Sequence, residues 1–235
     1  MHDGEFVCIL GPSGCGKTVL LNLVAGFLKP TTGQIVLDGR VVDRPGTDRI
    51  LIFQDYVLFP WMTVYQNVLF GLVKSTLPQH EKEMLADTYM EMVGLIPCKG
   101  WYTHTLSGGM KQRVAIARAL ISDPKILLMD EPFAALDSQN RKSMRKNLET
   151  IWQQTKKTIL FVTHSMNEAV DLADTIYLLA GTPSRIIKVY HPDLPRPRDR
   201  YGRKFVALLK EIEAEIARTT QGTDSGSVLG TLAPE

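Results

Sequence analysis

An apolar run, FVCIL (Phe6–Leu10), leads directly into GPSGCGKT (11–18), and a further apolar stretch follows. No other feature of this chain constrains its fold as strongly. The run ends at glycine and reads as a buried parallel strand. The stretch after the loop places Leu20, Leu21, Leu23 and Val24 at helical positions. GPSGCGKT satisfies G-x-x-x-x-G-K-[ST] without departure. Gly11, Pro12, Ser13, Gly14, Cys15 and Gly16 would turn backbone N–H groups inward around phosphate oxygens, where bulkier residues would clash. The helix that follows aims its positive N-terminal end at the same anion. Lys17 is expected to reach the β- and γ-phosphates of a nucleotide, and the Thr18 hydroxyl to ligate Mg²⁺. Cys15 reads as a small filler within the loop.

Two later strand ends carry polar residues suited to work on such a phosphate. ILLMDEP (126–132) puts Asp130 and Glu131 at the carboxyl end of an apolar strand, where open α/β sheets bind their ligands. Asp130 is expected to hold Mg²⁺ through its water shell, and Glu131 to act as general base. FVTHS (161–165) repeats the arrangement and places His164 at the next strand end. Gln54 closes the strand LIFQ. Between these elements lies LSGGMKQR (106–113), where Ser107, Gly108 and Gly109 open a basic helix. An ordinary serine cap explains Ser107 but not the two glycines after it.

Strand patterns at 34–37, 50–53, 126–129, 158–162 and 175–179 alternate with helical ones. This argues for a parallel sheet covered on both faces. Residues 55–122 look like a helical insertion. An amphipathic helix is expected over 201–217, and the polar segment 218–235 is expected to be disordered. A chain of 235 residues can bury a full core as a single domain. Its net charge of +2 is too small to suggest a nucleic-acid binder. No apolar run approaches the ~18 residues of a membrane span. The three cysteines lack metal-ligand spacing.

Phosphate loop, LSGG element and acidic strand end, in that order, resemble the ATP-binding cassette (ABC) ATPases from Gly4 to about Ala217. The resemblance implies an α/β P-loop NTPase (RecA-like) core with a mostly parallel sheet and a helical signature subdomain. It implies Mg²⁺-dependent ATP hydrolysis, with Glu131, His164 and Gln54 catalytic and Thr18, Gln54 and Asp130 around the metal. Ser107, Gly108, Gly109 and Asp137 would touch ATP held by a second copy, in a homodimer that sandwiches the nucleotide. QDYVLFPWMTVYQNVLFGL (54–72) and DLPRPRDR (193–200) look like the ATPase subunits of importers for nitrate, taurine and aliphatic sulfonates. Phe59, Pro60 and Trp61 would then lie near the docking groove for a membrane subunit. The expected partners are membrane-spanning permease subunits and a solute-binding protein, at the cytoplasmic face of the cell membrane. Arg196, Arg198 and Arg200 read as a solvated connector.

Family members carry a longer segment before the equivalent of Gly4, with edge strands and an adenine-stacking aromatic. These are expected to be missing here as an N-terminal truncation, at a cost of roughly 1–3 kcal/mol in nucleotide affinity. A soluble ABC ATPase without a transport role is one alternative, and a nucleotide-binding module with impaired hydrolysis is another.

Overall fold

The computed structural model describes residues 1–181 and 183–223. Among the described residues six strands form one sheet, and the near-continuous apolar runs of its central strands explain its two covered faces. These are β1 (Phe6–Leu10), β4 (Arg49–Ile52), β5 (Ile126–Asp130), β6 (Thr158–Thr163), β7 (Thr175–Ala180) and β8 (Arg185–Tyr190). The order is β4-β5-β6-β1-β7-β8. All neighbours are parallel except β7 and β8, which pair antiparallel at one edge. Val7, Ile9, Leu128, Leu160 and Val162 point to the face covered by helix α1 (Lys17–Ala25). Phe6, Cys8, Leu127, Met129 and Phe161 point the other way, into the larger core. Phe161 sits between Phe6 and Phe133, with ring centroids 5.8 and 5.6 Å away.

The insertion is helical, as expected. It comprises α2 (Val64–Leu69), α3 (Gln79–Met92) and α4 (Gly108–Leu120), joined by short 3-10 turns. Thr63 and Gln66 form a reciprocal capping box at the start of α2. The fully buried Asn67 side chain ties down the FPWM turn. It accepts from Phe59 N–H at 2.9 Å and donates to the carbonyls of Phe59, Met62 and Thr63. Residues 34–37 depart from expectation, because they do not join the main sheet. Val36–Leu37 (β2) instead pairs with Arg40–Val41 (β3) in a separate antiparallel hairpin. Its turn residues Asp38 and Gly39 have φ of 48° and 73°. That left-handed pair matches the twist of a two-residue hairpin.

Beyond α5 (Ser138–Thr155) and α6 (Met166–Leu172), the last element among the described residues is α7 (Arg203–Thr223). The expected helix is present but runs past residue 217, so residues 218–223 are helical. The rest of the expected disordered tail lies outside the described residues. Among the described residues no helix is long and apolar enough to cross a membrane.

The Pro/Arg run is a clasp and not the solvated connector expected from its composition. Arg196 donates to the Leu172 carbonyl at 2.6 Å and to Asp174 at 2.7 Å. It also pairs with Glu149 at 3.3 Å and lies 4.4 Å over the Trp152 ring. Arg198 donates to the Val170 carbonyl, and burial pushes its guanidinium down to about 10. Arg200 pairs with Asp171. Three alternate residues thus grip the C-terminal end of α6, where exposed carbonyls carry partial negative charge. Arg196→Ala should leave two carboxylates poorly compensated and destabilise the fold by roughly 2–4 kcal/mol. A lowered urea midpoint at constant m-value would register it. An unchanged midpoint would mean that the clasp contributes nothing.

Candidate nucleotide site

The phosphate loop leaves the centre of the sheet, between β1 and α1. Its glycines are needed for two different reasons. Gly16 caps α1 with φ 84°, a conformation that a β-carbon would strain. At position 11 a β-carbon would lie 2.6 Å from the Leu179 carbonyl oxygen, so the loop can pass β7 only as glycine. Cys15 is buried, with its sulfur packed towards Gly11, in keeping with a filler. Ser184, from the β7–β8 connection, donates to the Cys15 carbonyl and braces the loop from outside. Nothing in the sequence signals that contact, because its partners are far apart in the chain. Lys17 is 4% exposed, and its ammonium donates to the carbonyls of Gly11 at 2.9 Å and Pro12 at 2.7 Å.

Parallel register assembles the remaining groups at the same carboxyl edge. Asp130 on β5 aligns with Val162 on β6, and Leu10 on β1 aligns with Thr163. Asp130, Glu131, His164 and the loop therefore emerge side by side. His164 Nδ1 lies 2.8 Å from Glu131 Oε2, and Glu131 Oε1 lies 3.8 Å from Lys17 Nζ. Glu131 has φ 44°, a strained conformation for a residue with a side chain. Its N–H bonds the Val162 carbonyl at 3.0 Å, which holds the turn against β6. Burial pushes the Asp130 carboxyl above its usual range and the neighbouring Glu131 charge adds to this, while a hydrogen bond from Thr18 and the Lys17 charge oppose it.

Gln54 lies in the turn two residues beyond the Ile52–Met129 pair, at the same edge, and is exposed. Two residues further on, Tyr56 and Val57 both have positive φ. Arg118 Nη2 donates to the Tyr56 carbonyl at 3.1 Å, and the Tyr56 hydroxyl lies against Gly108. Tyr56 thus joins the Gln54 turn to the start of α4, a contact the sequence reading missed. Ser107 caps α4 by accepting from Met110 N–H at 3.4 Å. Asp137 caps α5 by accepting from Gln139 and Asn140 N–H, and these bonds hold its carboxyl below the usual range. α4 packs on α2, α3 and β4, whereas α1 packs on β4, β5 and β6. Glu131 contacts His164 and Lys17, and Thr18 bonds Asp130, so these five form one group; Ser107 and Asp137 cap helices, and Gly108 and Gly109 open α4.

The first group suits a nucleoside triphosphate with a hard cation. Thr18 and Asp130 supply only oxygen donors, as Mg²⁺ prefers. A cation there would also relieve the like-charge pressure between Asp130 and Glu131. Among the described residues no cluster of three or more His, Cys, Asp or Glu side chains forms a metal cage.

Comparison with known proteins points the same way. The ABC transporter family profile matches residues 1–134. The nitrate import ATP-binding protein of Synechocystis sp. is 51% identical over 91% of this chain and 80% of its own length. The taurine import ATP-binding protein of Pelagibacter ubique is 47% identical over 81% of this chain and 72% of its own length. The bicarbonate transport ATP-binding protein of Synechococcus elongatus is 43% identical over 85% and 73% respectively. The structure of cbiO1 from Clostridium perfringens, part of an ABC transporter complex, superposes with a TM-score of 0.76 at 30% identity. It covers 95% of this chain and 89% of that one. A dimeric ATP-binding cassette bound to ADP and Pi superposes with a TM-score of 0.69 at 30% identity, over 82% and 87%. With its phosphate loop, acidic strand end and LSGG helix placed as described, this chain belongs to the ABC transporter family and is one of its ATPases.

Proposed function

We propose that this chain hydrolyses ATP to drive import of a small anionic or organic solute of the nitrate, taurine or sulfonate class. One observation carries the chemistry: Glu131 lies 2.8 Å from His164 and 3.8 Å from Lys17, at the mouth of the phosphate loop. Phosphoryl transfer asks little covalent chemistry of the protein, so positioning and charge stabilisation supply the rate. Glu131 accepts the proton of the attacking water. His164 holds that carboxylate in place and lies close to the γ-phosphate. Lys17 supports the negative charge on the transferred group. Gln54, hinged at the Tyr56–Val57 turn, closes on the attacking water. Thr18, Asp130 and Gln54 would hold Mg²⁺, which neutralises charge on the β- and γ-phosphate oxygens when bound.

Ser107, Gly108, Gly109 and Asp137 complete the site on a second copy, so that ATP is sandwiched in a homodimer. The dimeric cassette among the structural relatives supports this reading. Permease docking belongs to the insertion. Trp61 is 68% exposed, while Phe59 packs on Phe70 with centroids 4.6 Å apart. Asn67 makes this aromatic turn rigid. A cavity of about 320 Å³ opens beside it, between Phe53, Phe70 and Arg118. It would receive a segment of the membrane subunit at the cytoplasmic face of the membrane, with a solute-binding protein on the other side. The nitrate, bicarbonate and taurine relatives support the importer reading and its small solute.

The sandwich gives the decisive test. In a Glu131→Gln background, ATP with Mg²⁺ should shift the protein from monomer to dimer in sedimentation. Adding Ser107→Arg should block that shift, because a bulky cation fills the space needed by the partner's γ-phosphate. Monomer ATP binding should persist. A double variant that still dimerises with ATP would refute the trans role of the LSGG helix.

A further inference from the structure

Glu168 stands out among the groups not used above. It is 4% exposed, and a buried carboxylate is costly unless paired and hydrogen-bonded. Two partners compensate it. The Thr163 hydroxyl donates to Glu168 Oε2 at 2.6 Å. Arg141 Nε lies 3.9 Å from Glu168 Oε1. Burial pushes the Glu168 carboxyl upward, against the Thr163 hydrogen bond and the nearby Arg145 and Arg141 charges.

Each partner holds one of the turns that carry the hydrolytic pair. Thr163 Oγ1 also accepts from Ser165 N–H at 3.0 Å, so one hydroxyl fixes the residues on both sides of His164. Arg141 donates to the carbonyls of Phe133 at 3.3 Å and Leu136 at 2.9 Å. Those residues form the turn that links Glu131 to the start of α5. Glu131, Arg141, His164 and Glu168 border a common cavity of about 40 Å³. The brace therefore lies directly behind the Glu131–His164 contact.

We propose that Glu168, through Thr163 and Arg141, is a positioning residue for hydrolysis, fixing the His164 turn against the 133–136 turn so that Glu131 and His164 stay in register. The inference rests on reading Glu131 and His164 as the hydrolytic pair. The Glu168 carboxylate engages the Thr163 hydroxyl and Arg141. Its effect passes through backbone placement, and misplacement of a reacting group by about 1 Å can cost a hundredfold.

The Thr163 hydroxyl permits a clean test. Thr163→Val removes it at nearly constant volume, while Thr163→Ser keeps it and removes a methyl. Steady-state ATPase rates and thermal midpoints would be measured for both, with Glu168→Gln and Glu131→Gln alongside. Thr163→Val and Glu168→Gln should lower kcat by on the order of ten- to a hundredfold, with KM for ATP changed less than about twofold. Thr163→Ser should keep a near-parental kcat. A role in packing alone would reverse the order, with serine the worse substitution, and would overturn the proposal. Parental kcat in Thr163→Val and Glu168→Gln, with Glu131→Gln inactive, would overturn the brace alone. Full turnover in Glu131→Gln would remove the hydrolytic pair and the brace with it.

Discussion

Glu131→Gln is expected to lower ATP turnover by on the order of 10²-fold or more while ATP still binds. The amide keeps the shape of the carboxylate but cannot take a proton from water. Two features of the site make Glu131 the candidate base in preference to Asp130. Glu131 alone of the two contacts both His164, at 2.8 Å, and Lys17, at 3.8 Å. Its backbone is also held at φ 44°, a conformation retained at some cost. Asp130, by contrast, sits beside Thr18, where a cation would bind. Phosphate release and calorimetric ATP binding should be measured on the same preparation. Turnover close to that of the parent would remove Glu131 from the role of base.

Lys17→Ala should weaken ATP binding itself, by roughly ten- to a hundredfold. A charge-assisted hydrogen bond contributes about 1.5–3 kcal/mol, and 1.4 kcal/mol corresponds to a tenfold change in affinity. The lysine has two tasks here. It is buried and bonded to the Gly11 and Pro12 carbonyls, so it ties the loop's first residues to the start of α1. In the proposed function the same ammonium meets the β- and γ-phosphates. Removing it therefore loosens the cradle and deletes a phosphate contact together. Calorimetric ATP affinity equal to that of the parent would contradict the assignment of the loop. The contrast with Glu131→Gln is informative, since one substitution acts on affinity and the other on rate.

Much of the fold was legible because its signals are local. β1, β5, β6 and β7 are covered on both faces, so each reads as an unbroken apolar run. β8 was missed for the converse reason. RIIKVY lies at a sheet edge, pairs antiparallel and is largely exposed at its first residues. Of the β2–β3 hairpin only the first arm falls in an expected strand (34–37), although Asp38-Gly39 is a hairpin-turn signal. Two-residue strands are too short to show alternation.

The site divides along the same line. Contiguous residues set the local placement of the phosphate loop, of Asp130 and Glu131 at a strand end, and of Ser107 at a helix start. The sequence alone was sufficient for these, because a strand, a loop and a helix N-terminus are built from neighbours in the chain. Contacts between distant segments came only from the tertiary structure. It brought His164 to within 2.8 Å of Glu131 through the β5–β6 register. It set Ser184 behind Cys15, and Glu168 between Thr163 and Arg141. It also turned Arg196, Arg198 and Arg200 inward, where composition suggested solvent. The reason is physical. Whether a charged side chain is solvated or buried depends on which carboxylates and carbonyls the packed helices present to it, and no local pattern in the chain encodes that.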